Sequence, residues 1–278
     1  MRLYISCDME GTAGVCSWNQ CDPENRSEYP IYRRYMTQEV RAAIFGAREA
    51  GGAEFVVNDS HWSMSNLLWD ELPDGGDLRV ISGAPKPLSM AQGLDSTFDG
   101  MLLTGYHAKA GDAATLSHTS SPETIYQVSI NGTPCSEALL YGALAGSFGV
   151  PVLMVSGDST IVTELTRALP WVTGVAVKDA IGHSAVDSLT PAAAQAAIRA
   201  GARRAVERIG QAQLFTFDAP FHLKIETAKV ENADFMELLP GFVRTGGRVV
   251  EFQTGTYPEA LRAYVVATRL GAAANAVA

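Results

Sequence analysis

The apolar runs Leu3-Tyr4-Ile5-Ser6-Cys7, Glu54-Phe55-Val56-Val57 and Met101-Leu102-Leu103-Thr104-Gly105 constrain this chain most, because each reads as a strand and each stops at residues that carry chemistry. The first gives way to Asp8-Met9-Glu10-Gly11, the second to Asn58-Asp59-Ser60-His61 and the third to Tyr106-His107. Side chains two apart on a strand share a face, so Asp8 and Glu10 stand side by side while Cys7 alternates away into packing. Helical stretches separate the strands, and this alternation implies a largely parallel sheet covered on both faces. Ligands bind such open sheets past the carboxyl ends of the strands, where these acids and histidines lie.

Taken singly, an Asp or His at a strand end is more often a turn former than a ligand. Taken together, they supply the oxygen and nitrogen donors that zinc or manganese accepts, and a short carboxylate can bridge two cations about 3.5 to 4 Å apart. Asp8 is the best candidate bridge. Asp59 either orients a ligating histidine or caps its turn. Glu137 opens a helix after Asn131-Gly132-Thr133-Pro134, a position where the helix dipole alone favours an acid. His118 lies in a loop rich in Gly, Ala, Ser and Thr, where a lone histidine usually faces solvent.

The expected fold is α/β, a three-layer αβα arrangement over residues 1–187 with a smaller α/β unit over 188–278. A helix opens at Thr37 and ends at Gly51-Gly52, with Val40, Ala43, Ile44 and Ala47 on one face. Strands follow near Leu78 to Ile81, Tyr126 to Ile130, Val150 to Val155 and Val172 to Val177, with helices over Ser136 to Gly146 and Thr160 to Leu169. In the second part, Thr190 caps a helix with Pro191 at its first position, running to Gly210. Strands Phe221 to Glu226 and Arg248 to Gln253 and helices Ala233 to Leu239 and Tyr257 to Leu270 complete it. This unit shows no chemistry of its own, and the tail from Gly271 to Ala278 is expected to fray.

The 278 residues are 47% hydrophobic and 18% charged, which is ordinary globular usage. Net charge is −9, and from Thr190 onward ten Lys/Arg face eight Asp/Glu, leaving eleven against twenty-two before it. The acidity belongs to the part that carries the candidate ligands, and nucleic acid is excluded as a partner. Cys7, Cys16, Cys21 and Cys135 make no CxxC pair and read as free thiols. The run before Asp8 is too short for a signal peptide, and no segment approaches the ~20 apolar residues of a membrane span, so a cytoplasmic, membrane-free protein is expected.

The motifs Ser6-Cys7-Asp8-Met9-Glu10-Gly11, Val57-Asn58-Asp59-Ser60-His61, Gly105-Tyr106-His107-Ala108 and Pro151-Val152-Leu153-Met154-Val155-Ser156-Gly157-Asp158 resemble those of the zinc-dependent D-aminopeptidases of the DppA type. The likeness is collinear over essentially the whole chain, with weaker support from Pro85 to Met90 and from Lys178. It implies two zinc ions per chain held by Asp8, Glu10, His61, His107 and Glu137, with His118 in a direct catalytic role. It also implies short D-amino-acid-containing peptides as substrates and a homo-oligomer, a ring-like decamer with its active sites facing an internal chamber. Trp18 and Trp62, close in sequence to candidate ligands, bear on side-chain specificity. His118 is a candidate oxyanion stabiliser, proton donor or nucleophile.

Two other readings compete. A serine hydrolase would use Ser159 in Gly157-Asp158-Ser159, although no GxSxG elbow exists and the candidate ligands would then have no purpose. A metal-dependent binding protein would hold the ions without turnover.

Overall fold

The computed structural model describes residues 1–276. In chain order the elements are β1 (Arg2–Cys7), α1 (Trp18–Cys21), α2 (Tyr29–Glu49), β2 (Glu54–Asp59), β3 (Leu78–Ile81), β4 (Gly100–Tyr106), β5 (Ile125–Ile130), β6 (Thr133–Pro134), α3 (Glu137–Ser147), β7 (Val152–Asp158) and α4 (Ser159–Ala168). There follow β8 (Thr173–Gly182), β9 (Ala185–Ser188), α5 (Pro191–Glu207), β10 (Phe221–Thr227), α6 (Val230–Met236), β11 (Val243–Gly246), β12 (Val249–Thr254) and α7 (Tyr257–Ala273).

Seven strands form one sheet in the order β3-β2-β1-β4-β7-β8-β9, parallel except for the terminal β8–β9 hairpin. Leu3, Ile5 and Cys7 point into a core with Val40, Ala43, Ile44 and Ala47 of α2 and Ile198 and Ala202 of α5. Tyr4 points the other way, into a core shared with α3, α4 and α7. The alternation of β1 thus divides the two faces, and the mixed α/β class with its mostly parallel sheet is as expected.

Chain order reverses between β1 and β4. From β1 the chain moves outward through β2 and β3, then returns to pair β4 against the other side of β1. The loops leaving β1 and β4 diverge there and open the crevice in which α/β sheets bind ligands. They also touch. Gly11 N donates to Gly105 O at 2.8 Å, and a Cβ on Gly11 would fall 1.8 Å from Tyr106 O. Gly105 has φ +69°, and its Cβ would fall 2.1 Å from Asp8 O, so only glycine fits at either point.

Several boundaries differ from expectation. Helix α2 begins at Tyr29, eight residues before Thr37, because Pro30 sits in its first turn, where a missing N–H costs nothing. The strand Tyr126 to Ile130 leaves the parallel sheet. It joins a second, antiparallel sheet, β11-β12-β10-β5-β6, through a hairpin whose Asn131 and Gly132 have φ of 51° and 80°. Segments on either side of the expected 187/188 boundary therefore exchange places: β5 and β6 lie in the second sheet, while α5 packs on α2. The strand expected near Val172 to Val177 is the inner half of β8, while its outer half and β9 were invisible to apolar patterning. The tail expected to fray remains helical to Ala273, and residues 277 and 278 lie outside the described range.

One buried acid links this packing to pH. Glu39 of α2 accepts from Ala13 N at 2.9 Å through Oε1, and its Oε2 has no hydrogen-bond partner among the described residues. Burial pushes its pKa up to about 7. Between its ordinary value and about 7, the folded chain keeps a proton that the unfolded chain has released, so stability falls as pH rises through that window. Glu39→Gln is expected to unfold at higher urea than the parent near pH 8, by up to about 3 kcal/mol. That gain should disappear below about pH 4.5, and urea titrations at both pH values check it.

Candidate metal centre

Each candidate ligand is fixed by backbone at a strand or helix end. Asp8 N donates to Thr104 O at 2.8 Å, tying the end of β1 to β4. The loop beyond is held from β8 by Lys178, whose buried ammonium donates to the carbonyls of Glu10, Thr12 (3.0 Å) and Val15 (2.6 Å). Burial lowers its pKa, and three acceptors match the three donors of an ammonium. Asp158 caps α4 through Oδ1, which accepts from Thr160 N and Ile161 N, while its Oδ2 accepts from Ala108 N at 2.9 Å and steadies the backbone beside His107. Glu137 is the first residue of α3 behind the Ser136 cap, and its Oε1 accepts from Ser120 N.

Asp59 fastens a turn. It accepts from Asn66 N at 2.5 Å and Leu67 N at 2.8 Å, and Asn66 Nδ2 in turn donates to His61 O. The ring of His61 is oriented instead by the Cys21 carbonyl, 2.9 Å from Nε2. Trp62, directly after it, is held at φ 48°, a left-handed conformation costly for a bulky residue.

Asp8, Glu10, His61, His107, His118 and Glu137 are all buried and converge on one point. His61 Nδ1 lies 3.3 Å from Asp8 Oδ1 and 3.0 Å from Glu10 Oε2. His107 Nε2 lies 3.3 Å from Asp8 Oδ2 and 3.6 Å from Glu137 Oε2. Asp8 therefore faces one histidine with each oxygen. A carbonyl can only accept, so His61 Nε2 and His107 Nδ1, each 2.9 Å from a carbonyl oxygen, carry the protons. In the neutral rings, the nitrogens facing the carboxylates are then bare lone pairs.

Lone pairs aimed at anions call for a cation between them. Glu10 Oε2 and His107 Nε2 are buried and have no hydrogen-bond partner among the described residues, which is what a metal would satisfy. Protons are the alternative. Burial works against a charge on His61 and His107, but Glu10 and Glu137 respectively outweigh it and push both pKa values well above the ordinary one. Burial likewise opposes ionisation of Asp8, yet hydrogen bonding to His107 and His61 holds its pKa at about 2. The donor set of carboxylate oxygens and imidazole nitrogens fits divalent zinc or manganese.

His118 is buried, not solvent-facing, because the loop folds inward with Leu116 and Ser120 at φ 48° and 58°. Its ring stacks on His107 at 4.2 Å, takes the edge of Trp18 at 5.1 Å, and donates from Nδ1 to Leu116 O at 2.9 Å. Nε2 is left free, 3.9 Å from Glu10 Oε1. Burial and then the charge of His107 lower its pKa, so the ring is neutral.

These residues form the floor of a cleft of about 650 Å³. Trp18 and Trp62 line it, the latter 54% exposed. Part of its wall is Tyr264, Thr268 and Arg269 of α7, from the unit expected to carry no chemistry. Tyr264 donates to Ser120 Oγ at 2.7 Å, joining that helix to the His118 loop. Cys21 is a further unexpected neighbour, its Sγ within 4.8 Å of ligand atoms of Glu10 and His61. Ser159, by contrast, begins α4 with no histidine hydrogen-bonded to it among the described residues, and Asp158 is committed to capping.

The sequence profile of the D-aminopeptidases matches residues 1–266. The chain belongs to the D-aminopeptidase family. A D-aminopeptidase from Bacillus subtilis is 38% identical over 271 residues, covering 97% of each chain. A solved structure, the zinc-dependent D-aminopeptidase DppA of Bacillus subtilis, a self-compartmentalizing protease, superposes with a TM-score of 0.93 at 37% identity over 98% of both chains. The metallopeptidase reading is thereby favoured over the serine hydrolase and over a binder without turnover.

Among D-aminopeptidase features, the least legible in sequence was Lys178, a lysine in a strand whose partners lie more than 160 positions away. Lys178→Met leaves the Glu10 loop unsupported while touching no ligand side chain. It is expected to weaken divalent-metal affinity by roughly 10- to 100-fold. Competition against a chelator measures this, and unchanged affinity would reduce Lys178 to a packing role.

Proposed function

We propose that this D-aminopeptidase holds two zinc ions per chain, one near His61, Glu10 and Asp8 Oδ1, the other near His107, Glu137 and Asp8 Oδ2. The observation that carries this reading is the split of the two Asp8 oxygens between two histidines whose facing nitrogens are otherwise bare. Zinc, when bound, supplies Lewis acidity that polarises an amide carbonyl and makes water nucleophilic near neutral pH. The chain supplies the proton traffic. Neutral His118 has its free Nε2 on the cleft side, so it accepts a proton as water attacks and returns it to the departing amine. Without a proton on Nε2 it is not an oxyanion donor in that step. The buried ligand shell and the Trp18 edge exclude bulk water from the same point.

Short peptides with an N-terminal D-residue, D-Ala-D-Ala among them, are the proposed substrates, and the cytoplasm the proposed compartment. The self-compartmentalizing relative supports a homo-oligomer, and a decamer is its proposed size. No helix among the described residues is long and apolar enough to cross a membrane.

Metal analysis is expected to find about two ions per chain in the wild type and none in Asp8→Ala, which loses the shared ligand. His118→Ala is expected to keep both ions and lower kcat by roughly 10²-fold or more. Loss of metal in His118→Ala would make it a ligand instead.

The handedness of the cleft is tested by matched peptides. Once the amino group and carbonyl of the first residue are fixed, its side chain has one direction open to it, and a misplaced methyl costs about 1 to 3 kcal/mol. D-Ala-D-Ala is expected to be cleaved about 10- to 200-fold faster than L-Ala-L-Ala under identical zinc. Equal rates, or a faster L form, would refute D-selectivity in this chain.

A further inference from the structure

We propose that Arg269 of α7 is the docking group for the C-terminal carboxylate of the substrate, which makes this a site selective for short free-acid peptides; this rests on the aminopeptidase reading above. Arg269 is the single Lys or Arg among the described residues that line the cleft. Every other formal charge there is negative: Asp8, Glu10 and Glu137 in the metal cluster, with Asp22 and Glu123. A free peptide brings one anionic group of its own, and among the lining side chains Arg269 alone offers it a positive charge apart from the ions at the metal ligands.

The guanidinium is available for that contact. It forms no ion pair among the described residues, unlike Arg244 and Arg248, which are paired with Asp234 and Glu226. It stands one residue beyond Thr268 and four beyond Val265 on the face of α7 that closes the cleft, and that face is anchored by the Tyr264 hydroxyl on Ser120. Tyr141 and Glu137 line the same cleft as Arg269. An extended dipeptide spans about 7 Å, and a planar guanidinium binds a carboxylate through two parallel hydrogen bonds. With its amino end held at the metals, a short peptide points its carboxylate away from them, toward the wall that α7 provides.

The test compares D-Ala-D-Ala with its C-terminal amide. The wild type is expected to show a KM roughly 10- to 100-fold lower for the free acid, the range of a hydrogen-bonded charge pair. Arg269→Gln should raise the free-acid KM to that of the amide, leave the amide KM unmoved, and preserve kcat and zinc content. Arg269→Lys should restore part of the preference, and Arg262→Gln, exposed on the same helix, should behave as wild type. Equal KM values for acid and amide in the wild type would overturn the proposal, as would equal losses on both peptides in Arg269→Gln. Should the wild type hydrolyse neither peptide, the aminopeptidase reading fails separately. Calorimetric binding of the reduced-amide analogue of D-Ala-D-Ala and of its C-terminal amide then reads the same contact. A free-acid preference that vanishes in Arg269→Gln upholds the role of Arg269, and its absence in the wild type refutes it.

Discussion

Carboxylates gathered in a dry interior repel, and that repulsion shapes this molecule more than any single packing contact. Asp8, Glu10 and His107 offer ligand atoms within 4.8 Å of one another, a distance at which two like charges cost about 3 to 4 kcal/mol at an effective dielectric of 20. The one buried ammonium on this loop, Lys178, does not relieve it, since its three donors are committed to the carbonyls of Glu10, Thr12 and Val15. The backbone nonetheless forces the acids together. Gly11 and Gly105 allow β1 and β4 to touch where nothing larger fits, and Asp8 is tied to Thr104 across that contact. A fold that confines anions so tightly, and spends its own cation on their scaffold, is built to receive positive charge from outside.

The candidate ligands stood out in the sequence because strand periodicity is local. An apolar run that ends in Asp-x-Glu, or in Asp-x-His, announces both the strand and the chemistry at its tip, and β1, β2 and β4 emerged with their polar ends where the runs stop. Glu137 was ambiguous for a physical reason: the helix dipole and a metal favour the same residue at the same position. The burial of His118 could not be read from its own surroundings, because nothing in a Gly- and Ser-rich segment signals the left-handed Leu116 and Ser120 that fold it inward. Glycine is the usual mark of such a conformation, and here ordinary residues adopt it.

What the sequence withheld was long-range. Strand β5 reads like its neighbours yet joins the antiparallel sheet, because it pairs with the distant β10. Lys178 stands one residue past the expected strand Val172 to Val177, where nothing signals its carbonyl partners. Helix α7 shows only the periodicity of a packed helix, and nothing in it distinguishes Tyr264, Thr268 and Arg269 as cleft residues. Each of these depends on contacts between segments more than ninety positions apart, which no local window contains.

That difference in range separates two parts of the site. The candidate ligands Asp8, Glu10, His61 and His107 follow strand ends whose register is set by hydrogen bonds of the parallel sheet, so a shift of these residues would have to disturb the core beneath them. The outer cleft is walled by Trp62, exposed at a turn, and by α7, which reaches the cluster through the Tyr264 hydroxyl on Ser120. The α7 residues of that wall hold no candidate ligand directly among the described residues, so the inner end of the cleft rests on the core of the parallel sheet and its rim on a turn and one helix.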